Sequence, residues 1–175
     1  MAMERGGRAT KLGGNYERLF AVRQALAVIA GQSAAIQWEA LGDDEVGVDL
    51  WVTELDGTRT AYQAKRDNGS SGYWSVSDLH REGVLQAAKI QLERDPTVRF
   101  RFVSSANVRH LSDLAEVSHR VDDDPEAFYK HHVLVNAGRT TAFNTLLRHW
   151  SFDPLSEHNR EDAFQLIQRF GFVVF

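Results

Sequence analysis

The sequence predicts an α/β layer fold, and three observations carry that reading. Apolar residues recur at helical spacing before residue 31 and again between residues 75 and 94. Short β-rich runs lie between and after those helices. Asp56-Gly57 marks a hairpin turn between two of the runs. Helices interleaved with strands imply a partly parallel sheet covered by helices.

The elements follow in order. Residues 1–14 carry Arg5, Arg8 and Lys11 among glycines and read as a flexible basic arm. A helix is expected from about Asn15 to Ala30, with Tyr16, Leu19, Phe20, Leu26 and Ala27 in phase, Asn15 as N-cap and Gly31 as stop. Ala35 to Ala40 reads as the first strand. An acidic loop, Gly42 to Glu45, precedes the hairpin made by Gly47-Val48-Asp49-Leu50-Trp51-Val52 and Thr60-Ala61-Tyr62-Gln63-Ala64-Lys65. Asp67 to Gly72 is a polar loop. Ser75 or Ser77 then caps one long helix that buries Leu79, Val84, Leu85, Ala88 and Leu92 and ends at Asp95-Pro96. Val98 to Ser105 reads as a fourth strand. The rest reads as helical, over about 107–120, 125–135, 140–150 and 156–169. The apolar end, Gly171-Phe172-Val173-Val174-Phe175, suggests a piece of a longer protein running into a further element.

Length and composition narrow the function classes. A chain of 175 residues forms one domain with a real core. Without cysteine it has no disulfide framework, thiolate metal site or cysteine nucleophile. No apolar run approaches the ~20 residues of a membrane span, and Met1 to Arg8 lacks the apolar stretch of a signal peptide, so a cytoplasmic setting is expected. No phosphate loop of the ATPase type occurs. The net charge is −4, yet the charges are sorted: Arg5, Arg8, Lys11, Arg18 and Arg23 come first, then Glu39, Asp43, Asp44, Glu45 and Asp49. A basic rim for phosphates and an acidic centre for a cation would use both blocks.

The hairpin carries the chemistry. Asp49 sits among apolar residues on one strand, and Gln63-Ala64-Lys65 on the other. A carboxylate and amide and backbone carbonyl oxygens suit a hard cation. A lysine beside them can stabilise developing phosphate charge. The candidate metal ligands are therefore Asp49, Gln63, the carbonyl of Ala64, and one more acid from Glu17, Glu39, Asp43, Asp44 or Glu45. Each residue also has an ordinary reading: Asp49, Gln63 and Lys65 as solvent-facing strand residues, and Glu17 as an acid favoured in a first helical turn.

This element order with Asp49 and Gln63-x-Lys65 resembles the PD-(D/E)xK superfamily, the restriction-endonuclease-like nucleases. Gly13-Gly14-Asn15-Tyr16-Glu17 and Gly47-Val48-Asp49-Leu50 look like motifs of the restriction-like branch. Trp74, Asp78-Leu79 and Phe102-Val103-Ser104-Ser105 resemble the double-stranded DNA endonuclease domains of bacterial antiphage systems. The resemblance covers about residues 10–105. It implies a core of the form αβββαβ over residues 15–105, a mixed sheet flanked by helices, with a helical extension over 106–175 leading into further domains. It implies a Mg²⁺-dependent (or Mn²⁺-dependent) DNA endonuclease with Asp49, Gln63, Lys65 and Glu17 at its centre. Gln63 stands where the superfamily name has an acid, which shifts the burden of cation binding to Asp49 and another carboxylate. Arg8, Lys11, Arg66, Arg81 and Lys89 are the candidate phosphate contacts. Duplex cutting implies a homo-oligomer in the active state, held in check by a sensor or oligomerisation module. A catalytically inactive DNA-binding or assembly domain, and a repair or junction-resolving nuclease, are the competing readings.

Parity sets one geometric requirement. With a two-residue turn at Asp56-Gly57, Asp49 would lie opposite Ala64 and point away from Gln63 and Lys65. The site therefore requires an odd-length loop, such as Asp56-Gly57-Thr58, or a bulge between Asp49 and Gln63.

Overall fold

The computed structural model describes residues 5–39, 41–67, 72–121 and 123–175, with side chains from Gly14 onward. The first helix, α1, spans Arg5–Ile29. It begins well before Asn15, so Gly13 and Gly14 lie inside it and the basic segment from Arg5 is helical rather than a loose arm. Ala9, Lys11 and Leu12 are good helix formers, and the 25-residue helix accommodates its four glycines, Gly6, Gly7, Gly13 and Gly14. Gly31, at φ +68°, closes the helix as expected, with its N–H on the Val28 carbonyl.

Five strands form one mixed sheet in the order β1 (Ala35–Trp38), β2 (Leu50–Thr53), β3 (Arg59–Ala64), β5 (Arg99–Ser104) and β7 (Phe170–Val174). β1, β2 and β3 are antiparallel neighbours, whereas β3–β5 and β5–β7 are parallel. Between β3 and β5 lie the short β4 (Tyr73–Trp74), α2 (Val76–Arg81) and α3 (Val84–Arg94). Between β5 and β7 come the short β6 (Asn107–Val108), α4 (Leu111–Ser118), α5 (Pro125–Phe128), a π-helical turn at Tyr129–Val133, α6 (Ala137–His149) and α7 (Glu157–Arg169). β4 and β6 pair as a separate parallel ribbon. Among the described residues the architecture is α/β, a mixed sheet flanked by seven helices.

Two differences from the sequence reading matter. The single long helix is two, because Gly83 adopts φ +76° between α2 and α3. Ser75 caps α2 through a capping box with Asp78. The second difference is the C-terminal end, which is not wholly helical. Phe170–Val174 is a strand of the main sheet, paired with β5 from Phe100↔Phe170 to Ser104↔Val174. Its apolar character is explained by that pairing and by packing on both sheet faces. Its residues alternate with those of neighbouring helices and strands in two separate cores.

The cores lie on opposite faces. Tyr16, Phe20 and Ala21 of α1 pack on Leu50, Val52, Ala64 and Val103, with Val173 and Phe175 at the margin. Trp51, Ala61, Phe100, Phe102 and Phe170 face the other helices. Period-two alternation thus puts Gln63 and Lys65, like Ala61, on the α3 side of the sheet.

The hairpin register meets the parity requirement. Thr53 pairs with Arg59 and Leu50 with Tyr62. The Glu54 N–H bonds the Thr58 carbonyl at 2.8 Å and the Gly57 N–H bonds Glu54 at 3.0 Å. The loop is therefore the three residues Leu55-Asp56-Gly57, one position earlier than Asp56–Thr58, with Gly57 at φ +85°. The regular ladder ends at Leu50↔Tyr62, and the Asp49 N–H also bonds the Tyr62 carbonyl, so the strand is bulged at Asp49.

Candidate active site

Asp49 precedes β2, and its placement begins with Gly47. Gly47 lies at φ +62°, and a Cβ there would stand 2.2 Å from the Ala87 Cβ of α3. Only a glycine lets this loop come so close to α3. The buried Gln91, one turn further along α3, donates from Nε2 to the carbonyls of Asp43 (3.0 Å) and Val46 (3.2 Å). At the end of the loop the Asp49 N–H bonds the Tyr62 carbonyl at 2.9 Å. Asp49 and Leu50 thus both stand against Tyr62, the arrangement of a bulge. The Asp49 carboxylate then turns to accept the Ala64 N–H, Oδ2 at 2.7 Å. In an extended strand a residue's N–H and C=O share a side, so the Ala64 carbonyl also points toward Asp49.

Electrostatics tie three charged groups together. Burial pushes the Asp49 carboxyl above the usual carboxylate range, opposed by the Ala64 N–H and by Lys65. Burial also raises Glu17, and the Asp49 charge raises it further, while Lys65 acts the other way. Burial thus favours the protonated form of both carboxyls, with Lys65 opposing it. Gln63 is buried, and its Oε1 has no hydrogen-bond partner among the described residues. A buried amide oxygen without a partner is an oxygen ligand of the kind a hard cation takes. No cluster of three His, Cys, Asp or Glu side chains with metal-holding geometry occurs among the described residues. The predicted oxygen donors are thus the Asp49 and Glu17 carboxylates, the Gln63 amide and the Ala64 carbonyl.

The surrounding elements hold these groups in place. Tyr16, next to Glu17, is buried, its hydroxyl donates to the Phe175 carbonyl at 3.0 Å, and burial pushes its pKa up to about 12. The end of the chain therefore anchors the helix that carries Glu17. The Lys65 N–H bonds the Val103 carbonyl at 2.8 Å. The Arg66 carbonyl accepts from Ser104 Oγ at 3.0 Å and from the Ser105 N–H at 2.9 Å. Trp74 Nε1 donates to the same Ser104 hydroxyl at 2.8 Å. The motif residues Trp74 and Ser104-Ser105 thus fix the backbone just past Lys65.

Sequence reading missed Glu82. At the break between α2 and α3, its Oε2 lies 3.5 Å from Lys65 Nζ. The Glu82-Gly83 pair at a helix break was the available signal. The acid left open among Glu17, Glu39, Asp43, Asp44 and Glu45 is narrowed, because Glu17 is the one coupled to Asp49. Asp44 instead bonds Arg59 at 2.9 Å and also Arg94.

The predicted phosphate contacts divide. Arg66 lies beside Asp67, and Arg81 is paired with Asp78 and Glu82. Both are exposed and flank Lys65 in sequence or through Glu82. Lys89 is committed elsewhere: Nζ donates to the Trp150 carbonyl and lies 4.2 Å from the Phe152 ring, so it braces α3 against the end of α6. The backbones of Arg8 and Lys11 are in α1, and their side chains lie outside the described residues. A separate hollow of about 490 Å³ between α2 and α6, lined by Tyr73, Arg109, His110 and Thr141 among others, includes none of the predicted site residues.

No protein-family model, curated protein or solved structure matches this chain. The resemblance to the PD-(D/E)xK nucleases therefore rests on the motif residues of the sequence.

Proposed function

We propose that the chain is a metal-dependent endonuclease domain that cleaves phosphodiester bonds of DNA, double-stranded DNA in particular. The observation that supports this most is that Asp49, whose carboxylate accepts the Ala64 N–H, also acts electrostatically on Glu17 together with Lys65. Asp49 and Glu17 would hold Mg²⁺ or Mn²⁺, with Gln63 Oε1 and the Ala64 carbonyl as neutral ligands. When bound, that cation supplies the Lewis acidity that lowers the pKa of an attacking water. Lys65 sets its positive charge against a non-bridging phosphate oxygen, where negative charge grows as the bond breaks. Glu82 holds Lys65 oriented before DNA arrives. Arg66 and Arg81 are the rim contacts, joined by Arg8 and Lys11.

The same proposal includes the biological setting. The domain would be the effector of a larger, cytoplasmic antiphage defence protein, held inactive until a sensor or oligomerisation module brings copies together. No helix among the described residues is long and apolar enough to cross a membrane.

One observation favours a second reading. The ion pair with Glu82 occupies Lys65, as it would in a nuclease-like fold kept for DNA binding or assembly. Plasmid cleavage in Mg²⁺ and in EDTA, for the wild type and Lys65→Ala, separates the two. Cleavage that needs the metal and Lys65 supports the enzyme. DNA binding without cleavage in either protein supports the binding domain. A four-way junction cut in preference to supercoiled plasmid would point to a junction-resolving enzyme.

A further inference from the structure

Helix α1 is apolar on two opposite sides. Tyr16, Phe20 and Ala21 face the sheet and are buried. Leu19, Val22, Leu26 and Ile29 face solvent, at 61, 56, 59 and 81 % exposure. A helix covering a sheet needs one apolar face, and its outer face is normally polar. Here the outer face carries large aliphatic residues at alternating three- and four-residue steps. That is the a/d spacing of a helix seam, which pairs with a helix of the same pattern. Single exposed leucines are ordinary, but an in-phase stripe of four marks an interaction surface.

We propose that this stripe is the interface between two copies of the chain, packed α1 against α1 in antiparallel fashion about a two-fold axis. A seam with this spacing is self-complementary, which is what a two-fold interface requires. Charge selects the direction. A parallel pair would set Arg18 of each copy beside Arg23 of the other, on both sides of the seam. An antiparallel pair separates Arg18 from Arg23. It leaves Arg23 near the axis, where its guanidinium already turns aside over the Phe175 ring, 5.5 Å from the centroid. Leu19 then meets Ile29 of the other copy, and Val22 meets Leu26.

Area sets the strength. Two such stripes with the stems of the flanking arginines bury roughly 1,000 Å² in total, the lower end of specific interfaces. An interface of that size is sensitive to anything that raises local concentration. The interface follows from the exposed stripe and does not depend on the nuclease reading. If both hold, the helix that carries Glu17 is also the helix that pairs.

Sedimentation equilibrium of the full chain from about 1 to 500 μM tests the interface, with no cleavage assay involved, so interface and nuclease site fail separately. The wild type should pass from monomer to dimer. A Leu19→Glu/Leu26→Glu double variant should dissociate roughly 100-fold more readily, with unchanged circular dichroism. A wild type monomeric throughout, or a folded double variant that dimerises as before, overturns the proposal. Because the chain has no cysteine, a second arm is clean. Val22→Cys and Leu26→Cys proteins are mixed and oxidised. The antiparallel seam gives mainly the mixed disulfide between the two variants. Mainly homodisulfides, or no cross-link, overturn it.

Discussion

Asp44 and Asp49 belong to one acidic segment, yet the fold gives them opposite environments. Asp44 lies between two guanidiniums. Its hydrogen bond to Arg59 and its contact with Arg94 hold its carboxyl below the usual range, against a smaller effect of burial. Its backbone carbonyl accepts from Trp51 Nε1 at 3.0 Å, so the residue pins the 3₁₀ turn at Gly42–Glu45 to the sheet. Asp49 has one backbone N–H and one lysine against burial, and burial dominates. A carboxylate whose charge is already balanced fastens a loop. One whose charge is not balanced retains capacity for a cation.

The largest test of this contrast is cleavage. Asp49→Ala and Lys65→Ala are each expected to lower plasmid cleavage by at least about 10²-fold. Asp49→Ala should also weaken Mg²⁺ binding measured by calorimetry, whereas Lys65→Ala should largely spare it. Asp44→Ala should leave the rate per folded molecule near wild type. If Asp44 proves as important to catalysis as Asp49, the division of labour collapses.

Stability comes next. Gly47→Ala combines a positive φ with contact on Ala87, so a loss of about 2–4 kcal/mol in urea unfolding is expected. Asp44→Ala leaves Arg59 and Arg94 without their shared partner and should cost about 1–2 kcal/mol. An unchanged unfolding midpoint for either variant would show that the loop is not held as described.

The sign of the pH response should differ between the two acids. Asp44 is depressed in the folded state, so its stabilising effect is present above the unfolded value and is lost as pH falls through the folded one. Asp49 and Glu17 are raised, so the folded state favours their protonated forms. Stability is lost as pH rises from the unfolded value through the folded one. Asp49→Asn should therefore raise the Tm of metal-free protein at neutral pH and have little effect below the unfolded value. Mg²⁺ should raise the wild-type Tm at neutral pH and lose that effect in acid. A metal-free Asp49→Asn protein that melts below the wild type at neutral pH contradicts the under-compensated site.

The smallest effect concerns the rim. Charge reversal at Arg66 or Arg81 should each reduce the salt slope of DNA binding by about 1, measured by fluorescence anisotropy. Lys89→Ala should instead weaken the packing of α3 on α6 with no change in slope. A slope change for Lys89 alone would move the DNA path to the other side of α3.

The sequence by itself determined much of this. Apolar periodicity gave the helix of residues 15–29, the hairpin, the strand over Arg99–Ser104 and most of the later helices, because each of these signals is local. Parity demanded an odd loop or a bulge, and the Thr58 N–H, donating to Asp56 Oδ1 at 2.9 Å, helps form the odd loop. The pairing of an acid with Gln-x-Lys pointed to Asp49, Gln63 and Lys65 for the same reason: strand alternation is a local rule. Tertiary structure alone decided the rest. It gave Asp44 to two arginines, committed Lys89 to Trp150 and brought Glu82 to Lys65. It turned the apolar end into β7, since a short apolar run has no periodicity that distinguishes a strand from the start of another element. Those outcomes depend on which residues distant in sequence share a buried space and on whether their charges are balanced there, and burial and charge balance are properties of the packed chain.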